Sequence, residues 1–239
     1  MNDIREPRGD VRELRNEAST TPVTGVWARG GPVFSHLTED TVNGLEGAAI
    51  ATFGDAASLG MWAFATGSLM AGLFQADLLP SIQASALYPL LLAYPGPAQF
   101  IAGLFLYRRN NNFLATAFCS FGAFNTARGA LLLCASQGLL PAGAPVDLMQ
   151  GIMLEVFAYI SISLLLGAVQ MNVVLVLMLS CTAVGFALSG VSFLTTAGEA
   201  GRVGGYFLLA TAAFAYYGGS AVLVNTAWRR VLLPLGGMV

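Results

Sequence analysis

The sequence predicts an all-α integral membrane protein with six transmembrane helices, the second of them broken. Three observations carry that reading. Only 10% of the 239 residues are charged while 56% are hydrophobic, the mean hydropathy is +0.68, and six apolar windows follow one another, each near the length that crosses a bilayer. A soluble domain is about one quarter charged, so water is not the main solvent of this chain.

A helix spanning the hydrocarbon core needs about 20 apolar residues, because backbone groups there must be satisfied internally. Such windows fall at residues 58–77, 84–107, 113–136, 146–168, 171–195 and 203–228. Polar or Gly/Pro-rich joints separate them, such as Arg108-Arg109-Asn110-Asn111-Asn112 and Pro141-Ala142-Gly143-Ala144-Pro145. The joint around Gln170 and Asn172 is so short that the fourth and fifth spans form an antiparallel hairpin. Tyr94-Pro95-Gly96-Pro97 interrupts the second span, since two prolines remove backbone donors and disfavour a straight helix. The break reads either as an ordinary kink or as the broken helix of a solute site.

Nine of the thirteen acids lie at or before Asp55. Residues 1–54 combine charges with Pro7, Gly9, Gly25, Gly30, Gly31 and Pro32, and are expected to be a flexible cytoplasmic tail, with Ile4–Arg15 as a weak candidate for a surface helix. The transmembrane domain is expected over residues 55–236. No short basic leader precedes the first apolar run near Ala48, so the first span is expected to direct insertion. Basic residues favour the cytoplasmic side. With the tail inside, Arg108, Arg109, Arg229 and Arg230 share that side and Arg202 stands alone opposite, which puts both termini in the cytoplasm of a multi-pass protein of the inner or plasma membrane.

The inventory excludes much. Eleven arginines without a lysine form no nucleic-acid-binding stripe. Cys119, Cys134 and Cys181 lack CxxC spacing and read as small buried residues. The single histidine, His36, leaves no Ser-His-Asp site or histidine metal cluster, and no Walker A sequence appears. No enzyme activity, cofactor or metal is expected. Small residues at four-residue intervals (Ala63, Gly67 and Ala71; Ala98 and Ala102; Ala123 and Ala127; Ala215 and Gly219) mark candidate close helix contacts.

Arg128 lies well inside the third span, where an arginine costs several kcal/mol on insertion scales. Phe121, Asn125 and Arg128 share one helical face at i, i+4 and i+7. Glu155 in the fourth span is the obvious counter-ion, and Tyr159 and Ser163 continue its face. Two roles stay open for Arg128: a fork holding a substrate carboxylate, or a structural ion pair with Glu155, which is preferred. Protonating Glu155 would release such a pair. Gln99, Asn125, Arg128 and Glu155 are therefore the candidate polar residues of a solute path.

The block Gly96-Pro97-Ala98-Gln99-Phe100-Ile101-Ala102-Gly103 through Tyr107, then Phe113 and Thr116-Ala117-Phe118-Cys119-Ser120-Phe121-Gly122, resembles the GGxxQxxAGxxEYxxGNTFGxTAFxSYG pattern of the acetate uptake transporter family. A second block, Asn225 to Gly236 with Arg230, Leu233, Pro234 and Gly236, resembles that family's ending. The similarity covers roughly residues 54–236. The NPAPLGL signature survives only as Asp55-Ala56-Ala57-Ser58-Leu59-Gly60-Met61, of which Asp55, Leu59 and Gly60 mark the signature position. Leu106 replaces an acidic residue of the pattern.

The resemblance implies one pore per protomer with a narrow apolar constriction made by three side chains. These become Phe64, Phe121 and Cys181, with Thr182 in the third place if the register is one residue on. Phe121 stands where the family usually has tyrosine. The implied function is transport of small carboxylates, acetate and succinate, by proton symport or as an anion channel, in a homohexamer within the lipid bilayer and without nucleic acid. The alternative is a non-transporting membrane sensor or assembly protein, or ammonium-related transport.

Overall fold

The structure, a computed structural model, describes residues 54–80, 86–141, 143–195 and 197–237. The expected tail, with His36 and Ile4–Arg15, lies outside the described residues except for Gly54. Among the described residues seven helices follow in order: α1 (Ala57–Gln75), α2 (Leu87–Ala93), α3 (Pro95–Arg108), α4 (Asn112–Ser136), α5 (Ala144–Ala168), α6 (Val173–Leu194) and α7 (Gly198–Trp228). With α2 and α3 taken together as Leu87–Arg108, six segments among the described residues are long and apolar enough to cross a membrane. The six expected spans are all present.

Local chemistry sets the helix starts. Asp55 Oδ1 accepts the Ala57 amide at 2.9 Å, Asn111 Oδ1 the Leu114 amide at 3.2 Å, and Asn172 Oδ1 the Leu175 amide at 2.9 Å. Each satisfies an amide that a helix start leaves without an internal acceptor. As an anion Asp55 also suits the positive end of α1. Between α2 and α3, Tyr94 leaves helical geometry at φ −128°, ψ −69°, and Pro95 and Pro97 withdraw the donors that the Leu91 and Ala93 carbonyls would meet in an unbroken helix.

The helices form a ring. Extensive contacts join α4 to α3, α3 to α1, α1 to α7, α7 to α6 and α6 to α5, while α5 returns to α4 over only a narrow contact. Small residues explain the tight seams: Ala63, Gly67 and Ala71 of α1 and Ala215 and Gly219 of α7 are buried, and a Cβ on Gly219 would meet the Trp62 ring of α1. Without a hydrophobic force between helices in lipid, such close approach supplies much of the association energy. Ala123 and Ala127 are exposed on the outer face of α4. The inward face of that helix is instead the one carrying Phe121, Asn125 and Arg128.

After α7 the chain reverses at Arg229, φ 51°, and folds back over the α5–α6 turn. The Val173 and Val174 amides, open at the start of α6, donate to Gly236 and Leu235 carbonyls at 2.8 and 3.3 Å. Asn225 pins this segment, donating to the Leu233 carbonyl at 2.8 Å and accepting the Leu232 and Leu233 amides at 2.8 and 3.0 Å. At about 1 kcal/mol per bond, Asn225→Ala is expected to destabilise by about 2–3 kcal/mol, read as a lower thermal midpoint in detergent. An unchanged midpoint would show that the segment holds without these bonds.

Candidate functional site

The interior of the ring is closed by phenylalanine. Phe64 of α1 and Phe121 of α4 have centroids 4.9 Å apart, and Phe121 lies 5.6 Å from Phe157 of α5 and 6.2 Å from Phe186 of α6. Phe124 joins the layer at 4.4 Å from Phe157 and 5.4 Å from Phe186. These rings bridge the narrow α4–α5 seam, so the ring of helices is completed by aromatic contact rather than by backbone packing. Tilted pairs at such distances are favourable for aromatic quadrupoles.

Against this layer, toward the capped starts of α4 and α6, lies a cavity of about 10 Å³ lined by Phe64, Gln99, Leu114, Phe121, Leu175, Met178 and Leu179, with Phe113, Ala117 and Phe118. That is at the lower limit for one water. The cavity is far too small to hold acetate. Gly60 is needed beside it, because a Cβ there would overlap the Phe118 ring. Leu59, the neighbouring signature residue, points outward.

Phe64 and Phe121 meet as expected, but Cys181 does not line the cavity; it is half-buried elsewhere on α6. Thr182 does not line it either. Its hydroxyl donates to the Met178 carbonyl at 2.8 Å and to Thr211 of α7 at 3.4 Å. The α6 wall consists of Leu175, Met178 and Leu179, which a register two residues earlier would have found. Phe124, Phe157 and Phe186 were also missed. Phe124 carried a signal, one turn from Phe121, whereas Phe157 and Phe186 sit in apolar runs where aromatics look alike.

Beside the aromatic layer stands a polar group. Gln99, completely buried, accepts the Asn125 side-chain amide on its Oε1 at 3.2 Å. Its Nε2 has no partner among the described residues. Gly67 of α1 makes room, since a Cβ there would stand 3.3 Å from both Asn125 Oδ1 and Pro95. Arg128, one further turn along α4 and 8% exposed, is buried with an unpartnered Nε.

The expected Arg128–Glu155 ion pair is not formed. Glu155 packs instead against Gly190 of α6, and its buried Oε1 is unpartnered among the described residues. The reason is geometric: α4 and α5 touch only narrowly, and the Phe124–Phe157 stack fills the space between them. Tyr159 is 71% exposed and Ser163 is exposed too, so the face expected to continue from Glu155 is an outer face.

Six apolar spans ringed around an aromatic-filled axis, with amide and guanidinium donors held beside a broken helix, define a polytopic membrane protein. The chain belongs to the GPR1/FUN34/yaaH family, whose sequence profile matches residues 40–235. It is 31% identical over 145 residues to the succinate-acetate/proton symporter SatP of Escherichia coli (strain K12), covering 60% of this chain and 75% of that protein. The match to SatP of Shigella flexneri has the same identity and coverage. A solved structure, the bacterial acetate channel SatP, superposes with a TM-score of 0.70 at 26% identity, over 77% of this chain and all of that one. The family expected from the Gly96–Gly122 and Asn225–Gly236 blocks is the one found.

Proposed function

We propose that this chain transports small carboxylates, acetate and succinate, along the axis inside each protomer, with the Phe64–Phe121 layer as its constriction. The carrying observation is that aromatic layer, with the buried Gln99 amide at its edge, in a chain similar to proteins named as a succinate-acetate/proton symporter and an acetate channel. Acetate has one methyl face, which suits aromatic walls, and one carboxylate, which needs donors where it leaves water. An apolar constriction also resists water and hydrated ions.

Orientation, coupling and assembly belong to the same proposal. Arg108, Arg109, Arg229 and Arg230 lie at the end where α1, α4 and α6 begin, while Arg202 at the opposite end pairs with Asp77 at 3.5 Å and Glu199 at 3.4 Å. The positive-inside tendency makes the first end cytoplasmic. Among the described residues Glu155 is the acid lying beyond the first turn of a span, and we assign it the coupled proton. A homohexamer fits the outward apolar face of α5, where Leu148, Ile152, Val156 and Leu166 are exposed in the protomer.

Labelled acetate uptake into proteoliposomes, with and without an inward proton gradient, tests this reading. Stimulation by the gradient is expected, and Glu155→Gln is expected to abolish that stimulation. Uptake indifferent to the gradient would make the protein a channel and remove the role of Glu155. No uptake under either condition would overturn transport.

A further inference from the structure

We propose that Arg128, Asn125 and Gln99 form an anion station on the α2 side of the aromatic layer, holding the substrate carboxylate before or after it crosses the constriction. The proposal deepens the carboxylate reading above and rests on it.

A guanidinium at membrane depth costs several kcal/mol unless something answers its charge. Here no carboxylate among the described residues does; the described group that interacts with it is the uncharged Tyr88 phenol of α2. No ion pair or hydrogen bond joins Arg128 to a described residue, Glu155 faces α6, and none of the carbonyls released by Pro95 and Pro97 bonds it. An arginine that is nine-tenths buried and has no counter-ion among the described residues calls for an anion as its occupant.

The neighbouring amides narrow the choice. Asn125 commits its Nδ2 to Gln99 Oε1, and this bond orients the Gln99 carboxamide with Nε2 free and fully buried. The unpartnered buried atoms are thus donors, the Arg128 Nε–H and the Gln99 amide N–H, on helices packed against each other. A carboxylate offers two acceptor oxygens in a plane and takes an arginine side-on. Phe121 lies two turns from Arg128 on the same face, roughly 10 Å along the axis by helical rise, and the aromatic layer there would receive the methyl end of acetate.

Gln99 belongs to the Gly96–Gly122 block, whereas Asn125 and Arg128 follow it on α4. The arginine was legible as a costly charge, but its partner was misassigned to Glu155.

The test is acetate binding by the purified full chain in detergent, read by saturation-transfer NMR and by the acetate-dependent rise of the thermal midpoint, with chloride as the comparison anion. Acetate is expected to raise the wild-type midpoint, since a ligand held only by the folded state stabilises it. Arg128→Met is expected to weaken acetate binding at least tenfold, and Arg128→Lys to weaken it less, because a point charge lacks the fork. Asn125→Asp guards against simple misfolding: it gives Arg128 a fixed internal carboxylate, so its midpoint without acetate should match or exceed wild type while its response to acetate disappears.

The proposal is overturned by acetate affinity that survives both Arg128→Met and Asn125→Asp, by absence of acetate binding to wild type, or by chloride binding as well as acetate. Uptake separates the two readings. Acetate transport with binding indifferent to Arg128 removes the station and leaves the transporter, whereas Arg128-dependent binding without uptake removes transport and leaves the station.

Discussion

Gly122→Leu is expected to cost more than any other single substitution considered for this chain, leaving little monodisperse protein after detergent extraction. A Cβ on Gly122 would lie 2.8 Å from the Gly96 carbonyl and 2.9 Å from Phe100 Cα, both backbone atoms of α3. From the other side, a Cβ on Gly96 would overlap the Thr126 hydroxyl and lie 3.0 Å from the Thr126 amide of α4. At Gly122 nothing flexible stands in the way to give, so the helices must separate. Overpacking against side chains costs about 1–3 kcal/mol; against backbone, with a full leucine, the cost should exceed about 3 kcal/mol. Gly198→Ala is the control, because nothing lies within 4 Å of a Cβ there. Loss of folded protein in Gly122→Leu and not in Gly198→Ala is the expected result. Equal recovery of both would mean that α3 and α4 can part without consequence.

The same glycines show what was legible in the sequence. Hydrophobicity and length located the six spans to within a few residues, because every backbone group in lipid has to be satisfied within its own helix and a shorter run could not cross. Pro95 and Pro97 announced the break for an equally local reason. The packing seams were half legible: Gly67 and Gly219 do face neighbouring helices, but Ala123 and Ala127, with the same four-residue spacing, face outward. Spacing along one helix cannot say where the next helix stands.

The candidate site follows the same division. Phe121, Asn125 and Arg128 share a face because helical period alone puts them there. Their partners depend on the rotation of other helices, and there the expectation failed: Glu155 is turned to Gly190, and α6 presents Leu179 rather than Cys181. In α6, nearly every residue is apolar, so no polar stripe fixes which side is inward. A two-residue slip goes unseen in such a helix.

Phe121→Trp and Phe121→Ala are expected to move transport in opposite directions, and together they test whether the aromatic layer is the barrier. The cavity beside the layer admits no more than about one water, at about 10 Å³, so acetate is expected to pass only if rings move apart. Phe121 contacts Phe64, Phe157 and Phe186, which means that opening must break aromatic contacts worth about 0.5–1.5 kcal/mol each beyond area burial. Truncation to alanine removes all three and leaves a gap on the order of 100 Å³, as large-to-small replacements in apolar interiors do. The initial rate of acetate uptake should rise about threefold or more, and larger carboxylates such as lactate should compete better. Tryptophan adds a ring where no space exists, so uptake should fall about tenfold, equivalent to about 1.4 kcal/mol on the barrier. Replacing Cys181 by alanine, away from the cavity, should leave the size selectivity as it is. If Phe121→Ala keeps both the rate and the selectivity of wild type, the barrier lies elsewhere along the axis, and the rings of α1, α4, α5 and α6 serve only to close the seam between α4 and α5.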